Sequence, residues 1–399
     1  MGRKLKILFV STRWPLPPVT GDRLRCYYVL RELAKYHEVT LVSFYSHPRE
    51  LRLLAGSRIP IRLVPVRHRA AFSYAKTLLT LPRRRPLQRG YFNFRAMHRA
   101  VRKELASRSY DLVFACMLRA AQFVEDIEGI PKVVDLIDAV SLNYERLLNF
   151  PGINRRSLSY WIYSIEKKRV ERYEAELLKR FERAFLVSEA DRRYLARFAD
   201  VSRVQVVSNG VNTHYFRFNS NSYHPRRIVF HGNIHYPPNS DAVRHFYQNI
   251  FPLIRRRIPD AQFCVVGNQP RRDVEALAKD PGVLITGRVN DVRTYLWDAS
   301  VSASPMRIGA GIQNKILESM ATGVPVVTSS LGFEGLEAHP GEHLFVSDHS
   351  QEFAGHVIEL MNNPKLRRQI TFQARNWIEE NYTWSHRLAP MLEAISELA

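Results

Sequence analysis

Cysteine is scarce in this chain. Cys26, Cys116 and Cys264 are the three present among 399 residues, far apart and without paired spacing, so neither a disulfide framework nor a zinc site is expected. None of the fourteen histidines has metal-ligand spacing, and there is no Asp-x-Asp metal motif. Apolar runs are short, and none reaches the roughly 18 residues that a membrane span requires. Met1 to Lys6 leads directly into an apolar stretch over residues 7–11, too brief for a secretion signal and lacking a small-residue cleavage site. Cytoplasmic residence is therefore expected. Repeats and low-complexity tracts are missing as well. The last shortage is of acid: 38 Asp and Glu stand against 59 Lys and Arg, a net charge of +21. Such an excess needs a partner or surface of opposite sign.

The cations are unevenly spread. From Arg62 to Arg108 there are thirteen Lys or Arg and one acid, Glu104, interleaved with Phe72, Tyr74, Leu78, Leu79, Leu81, Leu87, Tyr91, Phe92 and Phe94. This mixture suits an anionic membrane surface, where apolar groups insert and cations meet headgroups. It also suits RNA, or a solvated basic face above a buried apolar one.

At 399 residues the chain is too long for one ordinary core, and two domains are expected. Strand-like runs at 6–11, 38–44, 61–66, 112–115, 132–138, 184–188 and 204–207 alternate with helical ones at 22–34 and about 157–183. In the latter, Ile162, Ile165, Tyr173, Leu177 and Phe181 form one apolar stripe. A polar, structure-poor segment through Tyr223-His224-Pro225 follows the Asn209-Gly210 turn signal. The alternation then restarts: strands at 228–231, 262–267, 283–288, 301–304 and 324–329, helices near 240–257, 274–279, 292–299, 350–362 and from 364. A last helix begins near Arg387, with Trp384 and His386 expected to pin it. The pattern predicts an α/β fold of two doubly wound domains facing a cleft. Their expected bounds are 1–210, a linker at 211–225, 226–380, and a C-terminal helix over 381–399.

One stretch is densest in chemistry. Between Ser304 and Val327, a strand enters a loop with Gly309 and Gly311, a helix carries Lys315 and Glu318, and Gly323 stops it. Glycines allow a ligand close to the backbone, and the free N–H groups and partial positive charge of a helix start favour phosphate. Three residues apart, Lys315 and Glu318 share one helix face. A cation for phosphate beside a carboxylate for ribose hydroxyls suits a nucleotide. The plain alternative is a strand–loop–helix unit with a surface Lys–Glu pair.

Five segments in order carry a resemblance over nearly the whole chain: Pro17-Pro18-Val19-Thr20-Gly21-Asp22-Arg23-Leu24-Arg25; Val207-Ser208-Asn209-Gly210-Val211-Asn212; Phe230-His231-Gly232-Asn233-Ile234-His235-Tyr236-Pro237-Pro238-Asn239; Gly287-Arg288-Val289-Asn290-Asp291-Val292; and the helix expected from Gly311 to Ala321. The chain resembles retaining glycosyltransferases of the GT-B fold, glycosyltransferase family 4. Within that group it is similar to sugar transferases of bacterial exopolysaccharide clusters, including PEP-CTERM/exosortase-associated ones.

The resemblance implies roles. Gly21 faces donor diphosphate and acceptor. Gly232 opens the first loop near the phosphates, where Asn233 and a proline-rich loop stand in place of the family's frequent Arg and Lys. Lys315 is the candidate for that missing cation. Arg288 borders the base, and Glu318 matches the second Glu of a Glu–seven residues–Glu pattern and binds ribose. Ala310 occupies the place of the first Glu, where amides of the Gly309–Gly311 loop could substitute. The C-terminal helix is implied to return to the N-terminal domain. Asp138 either hydrogen-bonds acceptor or sugar, or caps the helix after it. Asn209 either touches ligand or makes the turn.

The implied reaction is transfer of a hexose from a UDP- or GDP-sugar to a lipid-linked or polysaccharide acceptor at the inner membrane face, with retention. Lys315, Glu318 and Asp138 are the catalytic candidates. A departing diphosphate can be neutralised by a metal or by a helix dipole with cations; without a metal motif the second is expected, with no cofactor. Nucleic acid is not expected as a partner. A sugar-nucleotide epimerase and a non-catalytic nucleotide- or glycan-binding relative are the competing readings.

Overall fold

The computed structural model describes residues 3–57, 59–68, 73–74, 76–77, 84–150, 153–219, 223–309 and 311–398. The chain forms two compact units: Met1–Ser208 with Leu388–Ala399, and Asn209–Arg387.

The N-terminal unit is built on β1 (Lys6–Ser11), β2 (Glu38–Tyr45), β3 (Ile61–Arg67), β4 (Leu112–Cys116), β5 (Lys132–Ile137), β6 (Arg183–Leu186) and β7 (Val204–Val206). They form a parallel sheet in the order β3-β2-β1-β4-β5-β6-β7. Both faces are covered, which is why Ile7 to Val10 and Leu112 to Cys116 are unbroken apolar runs, all fully buried. The second unit contains β8 (His224–His231), β9 (Gln262–Val266), β10 (Val283–Ile285), β11 (Ala299–Ser304), β12 (Val326–Thr328) and β13 (Phe345–Val346), in the order β10-β9-β8-β11-β12-β13, again parallel. Strand periodicity divides its core: Ile228, Phe230, Phe263 and Val265 face one side, Val229, Cys264 and Val266 the other.

Several expectations are corrected. The helix expected from Gly311 spans Asn314–Thr322, because Gly309 (φ +136°), Gly311 (φ +70°) and an extended Gln313 keep the preceding chain out of helical geometry. The helix expected near 240–257 is divided into Pro237–His245, a wider turn at Phe246–Ile250 and Phe251–Arg255. Pro252 has no N–H to donate one turn back, which favours such a bulge. Asn209-Gly210 makes no turn; Gly210 is needed because a Cβ there would lie 2.6 Å from the Trp384 nitrogen. Residues 211–219 are irregular yet anchored, since the Val211 N–H donates to the Tyr382 carbonyl (2.7 Å) and that of Asn219 to Thr322, and the next strand already begins at His224. Trp384 begins the last helix, Trp384–Glu397, and is buried.

The long helix is Leu158–Arg180. Tyr173, Leu177 and, just past its end, Phe181 are buried, but Ile162 and Ile165 point to solvent. The basic region also differs from a free surface. Arg62 pairs with Glu104 (3.1 Å), Arg89 with Glu125 (2.6 Å) and Arg85 with Glu176. Phe92 is buried against Phe44, and helix Arg95–Ser107 exposes Arg95, Arg99, Arg102 and Lys103 above buried Met97 and Val101. That helix fits the reading of a solvated basic face over an apolar one. Tyr74 is exposed, whereas Phe72, Leu78, Leu79, Leu81 and Arg83 lie outside the described residues.

Candidate active site

In the second unit the chemistry gathers at the carboxyl end of β8. Gly232 follows that strand with φ +151°, its N–H donating to the Val266 carbonyl at 3.0 Å. A Cβ at Gly267 would lie 1.7 Å from the Gly232 oxygen, so two backbones meet here at a separation that only glycine permits. At Gly232 a Cβ would stand 3.1 Å from Asn239 Nδ2 and 3.5 Å from Lys315 Cε, so the loop lies directly against the Lys315 side chain.

That side chain rises from the first turn of helix Asn314–Thr322. Gln313 provides no side-chain cap, and Gly323 closes the far end in the left-handed conformation (φ +84°). The first amides of such a helix lie outside its hydrogen-bond ladder. Asn209 Nδ2 donates to Asn314 Oδ1 at 3.0 Å and steadies the helix start. In front, Arg307 holds Asp241 through two bonds of 3.0 and 2.7 Å, fixing the glycine loop to helix Pro237–His245. Gly309 and Gly311 flank the helix start as expected; Ala310 lies outside the described residues.

Lys315 Nζ donates to Asn239 Oδ1 (2.6 Å) and to Gln313 Oε1 (3.3 Å), and stands 4.9 Å from the Phe230 ring centre. Burial pushes its ammonium down to about 7, with the Glu318 charge opposing. A cation held near neutrality is poised to gain a proton when an anion arrives. Glu318 Oε2 meets His231 Nε2 at 3.0 Å, while His231 Nδ1 is buried with no hydrogen-bond partner among the described residues. Lys315 and Glu318 thus do share a face, turned toward the end of β8. His231 and Asn239 were not singled out by sequence, although both stand inside the Phe230 to Asn239 segment. The Asn233 carbonyl accepts from Asn239 Nδ2 (2.9 Å), and its side chain is exposed. Arg288 is exposed beyond β10, next to Gly287 (φ +64°).

Gly21 and Asp138 belong to the other unit. Gly21 opens helix Gly21–Tyr36. Asp138 lies beyond β5, which ends at Ile137 (φ +70°), and it does not cap the next helix; Ala139 holds that position without a side-chain bond. The Ala139 N–H is taken by Asp191 Oδ1 (2.9 Å). Burial, reinforced by the Asp191 charge, holds the Asp138 carboxyl well above the ordinary carboxylate range. Asp135 is the fully buried partner of Arg25 (2.7 Å).

Just past β1, β2 and β3, Thr12, Ser46 and His68 border a cavity of about 310 Å³, walled by Arg13, Trp14, Tyr91, Phe92 and Arg119 among others. Arg119 donates to Thr12 Oγ1 (2.8 Å) and Asp22 Oδ2 (3.0 Å), and Arg13 Nε lies 3.2 Å from the same carboxylate. Sequence reasoning missed this cavity, because its walls come from six separated segments.

Residues 225–363 match the family model described as Glycosyl transferases group 1. The chain is 28% identical over 177 residues to an uncharacterized 44.6 kDa protein in the cps region of Klebsiella pneumoniae, covering 42% of this chain and 46% of that protein. It is 29% identical over 160 residues to a GDP-mannose-dependent alpha-(1-6)-phosphatidylinositol monomannoside mannosyltransferase of Mycolicibacterium smegmatis, covering 36% and 42%. The chain thus spans less than half the length of these curated relatives. Among solved structures, Anabaena HepE in complex with UDP superposes with a TM-score of 0.70 at 15% identity, over 98% of this chain and 100% of that one. Sucrose-phosphate synthase from Thermosynechococcus elongatus gives 0.74 at 15%, over 99% of each. The shared architecture is the GT-B fold of two Rossmann-like domains.

Proposed function

We propose that this chain, whose residues 225–363 form a Glycosyl transferases group 1 domain on a GT-B fold, moves a hexose from a UDP- or GDP-linked donor to a lipid-linked or polysaccharide acceptor. Capsule or exopolysaccharide synthesis is the proposed setting, supported by the cps-region relative. The observation that carries the reading is Lys315: a cation lowered to about 7, at an uncapped helix start, behind a glycine loop. In the proposed reaction the bond from the anomeric carbon to the diphosphate oxygen breaks and its electron pair stays on that oxygen. Lys315 and the helix amides neutralise the charge that develops there, and each such donor is worth roughly 3–4 kcal/mol of barrier. The acceptor hydroxyl forms the new bond to the anomeric carbon, and its proton passes to the departing diphosphate. Retention of configuration belongs to the same proposal and rests on the family likeness.

Glu318 is proposed to bind the ribose hydroxyls, with His231 fixing its rotamer, and Arg288 to border the base. Asp138, whose carboxyl is raised by desolvation, is proposed to hydrogen-bond the sugar or the acceptor. The arginine- and aromatic-walled cavity beyond β1 to β3 is the proposed seat of the acceptor sugar, since aromatic faces and paired polar groups suit a polyhydroxylated ring. Metal independence is proposed from the same cationic site.

Calorimetry with UDP, GDP, ADP, TDP and CDP, without metal, tests the donor reading. One nucleotide should bind at micromolar strength, and acceptor-dependent release of that diphosphate from its sugar should follow. Interconversion of the donor sugar without an acceptor and without net release of diphosphate would favour an epimerase. Failure of all five to bind would leave the non-catalytic reading.

A further inference from the structure

Of the eight exposed large apolar residues described in the N-terminal unit, four lie together on one helix, while Val19, Tyr36, Leu53 and Tyr74 are scattered. On Leu158–Arg180, Leu158 is 76% exposed, Trp161 61%, Ile162 39% and Ile165 51%. Their spacing, i, i+3, i+4 and i+7, places them in one stripe, about 10 Å long at 1.5 Å rise per residue. Further along the same helix, Val170, Tyr173, Leu177 and Leu178 are buried. Four large side chains that could have been turned inward are turned outward together, and a contiguous apolar patch of this kind marks an interaction surface.

Charge identifies the partner. Arg155 and Arg156 stand exposed just ahead of the helix, and the stripe continues beyond Ile165 as exposed Lys168 and Arg172. Carboxylates nearby are already engaged. Glu166 is buried, pairing with Arg169 (2.9 Å) and accepting the Leu87 N–H (2.7 Å). Glu171 accepts from Tyr194 and lies 3.4 Å from Lys167. Apolar anchors with a tryptophan among them, bracketed by cations, match the interface of an anionic bilayer, where side chains insert and Lys and Arg meet headgroups. A second copy of this chain fits poorly, because a self-complementary contact would bring the same cations face to face. No helix among the described residues is long and apolar enough to cross a membrane, so the contact is one of lying on the surface.

We infer that the Leu158–Ile165 face, with Arg155, Arg156, Lys168 and Arg172, docks this protein onto an anionic lipid surface. The inference is independent of the sugar-transfer reading. It also moves the lipid contact away from the Arg62 to Arg108 region, much of whose described cation set is in ion pairs or above a packed core.

The test is flotation of the full chain with phosphatidylcholine vesicles and with phosphatidylcholine–phosphatidylglycerol vesicles. Wild type should float with the anionic vesicles, and salt should weaken it. The surface variant Leu158→Ser/Trp161→Ser/Ile165→Ser should lose at least about tenfold in partition. Reversing the cations through Arg155→Glu and Lys168→Glu should cost roughly fivefold or more at each position. Both variants should keep the wild-type melting temperature, since these side chains are exposed. Brominated lipid should quench a larger share of fluorescence in wild type than in Trp161→Phe, a reading that needs no destabilising change. Equal binding by the triple variant and wild type would overturn the inference. So would loss of binding on replacing Arg84 and Arg85 with Ser while the triple variant still binds. A wild-type dimer that dissociates in the triple variant, without lipid binding, would assign the face to a second copy instead.

Discussion

The two units close their sheets with similar topology and furnish the carboxyl edges in opposite ways. In the second unit the edge is largely backbone: glycines at 232, 267, 309 and 311 and a helix start, with Lys315 beside them. In the first it is side chain: Arg13 and Arg119 on Asp22, and the rings of Trp14, Tyr91 and Phe92 around a cavity. Backbone amides in a tight loop suit a phosphate, whose form is fixed. Side-chain walls can be reshaped without disturbing a strand end, and they suit a variable sugar. One architecture can thus hold an invariant group at one edge and a particular one at the other.

Glycine substitution breaks the contrast most severely. Gly267→Ala should destabilise the protein by about 3 kcal/mol or more, since the new carbon overlaps the Gly232 oxygen. Gly341→Ala, at φ +84° with open space around it, should cost only about 1 kcal/mol. Thermal unfolding of the pair separates collision from conformational cost.

Lys315→Met should weaken nucleoside diphosphate binding about a hundredfold yet stabilise the unliganded fold. Its folded value of about 7 lies far below the unfolded value, about 10.4. The wild-type penalty is therefore full below pH 7 and fades as pH rises toward the unfolded value. The variant's gain, on the order of 2 kcal/mol, should follow that curve in denaturant titrations. An equal loss of stability and binding would mean a structural lysine. For wild type, diphosphate binding should take up protons near pH 7 to 8 and weaken as pH rises, which calorimetry in buffers of different ionisation enthalpy detects.

Glu318→Ala should weaken nucleotide binding about tenfold or more, as the loss of charged hydrogen bonds does. Unchanged affinity would remove it from the ribose role. Arg119→Met sharpens the comparison from the other edge: nucleotide affinity should stay within about twofold while acceptor KM rises about tenfold, as for one lost charged contact. A matching loss of nucleotide affinity would dissolve the distinction between the edges.

Strand positions were legible because buried parallel strands are unbroken apolar runs, and the Gly309 to Gly323 segment was legible because few residues other than glycine tolerate those angles. Helix starts were less so. Residues 311–313 have helix-compatible chemistry, and only the positive φ of Gly311 and the extended Gln313 delay the helix to Asn314. Ile162 and Ile165 were placed on one apolar stripe with Tyr173, Leu177 and Phe181, and only the last three are buried, since apolar periodicity marks a face without saying what lies against it. His231 was unremarkable at a strand end until the fold set it 3.0 Å from Glu318.

The sequence by itself determined the alternation of strands and helices, the cationic excess, and the pairing of Lys315 with Glu318 on one face, all of which depend on near neighbours along the chain. Tertiary structure alone decided that burial lowers Lys315 to about 7, that the Asp138 carboxyl is raised, and that six segments border a cavity. It also decided that four apolar side chains face outward. These depend on burial and on contacts between distant segments, and the energy of a charge or an apolar surface is set by the medium around it, which no local pattern encodes.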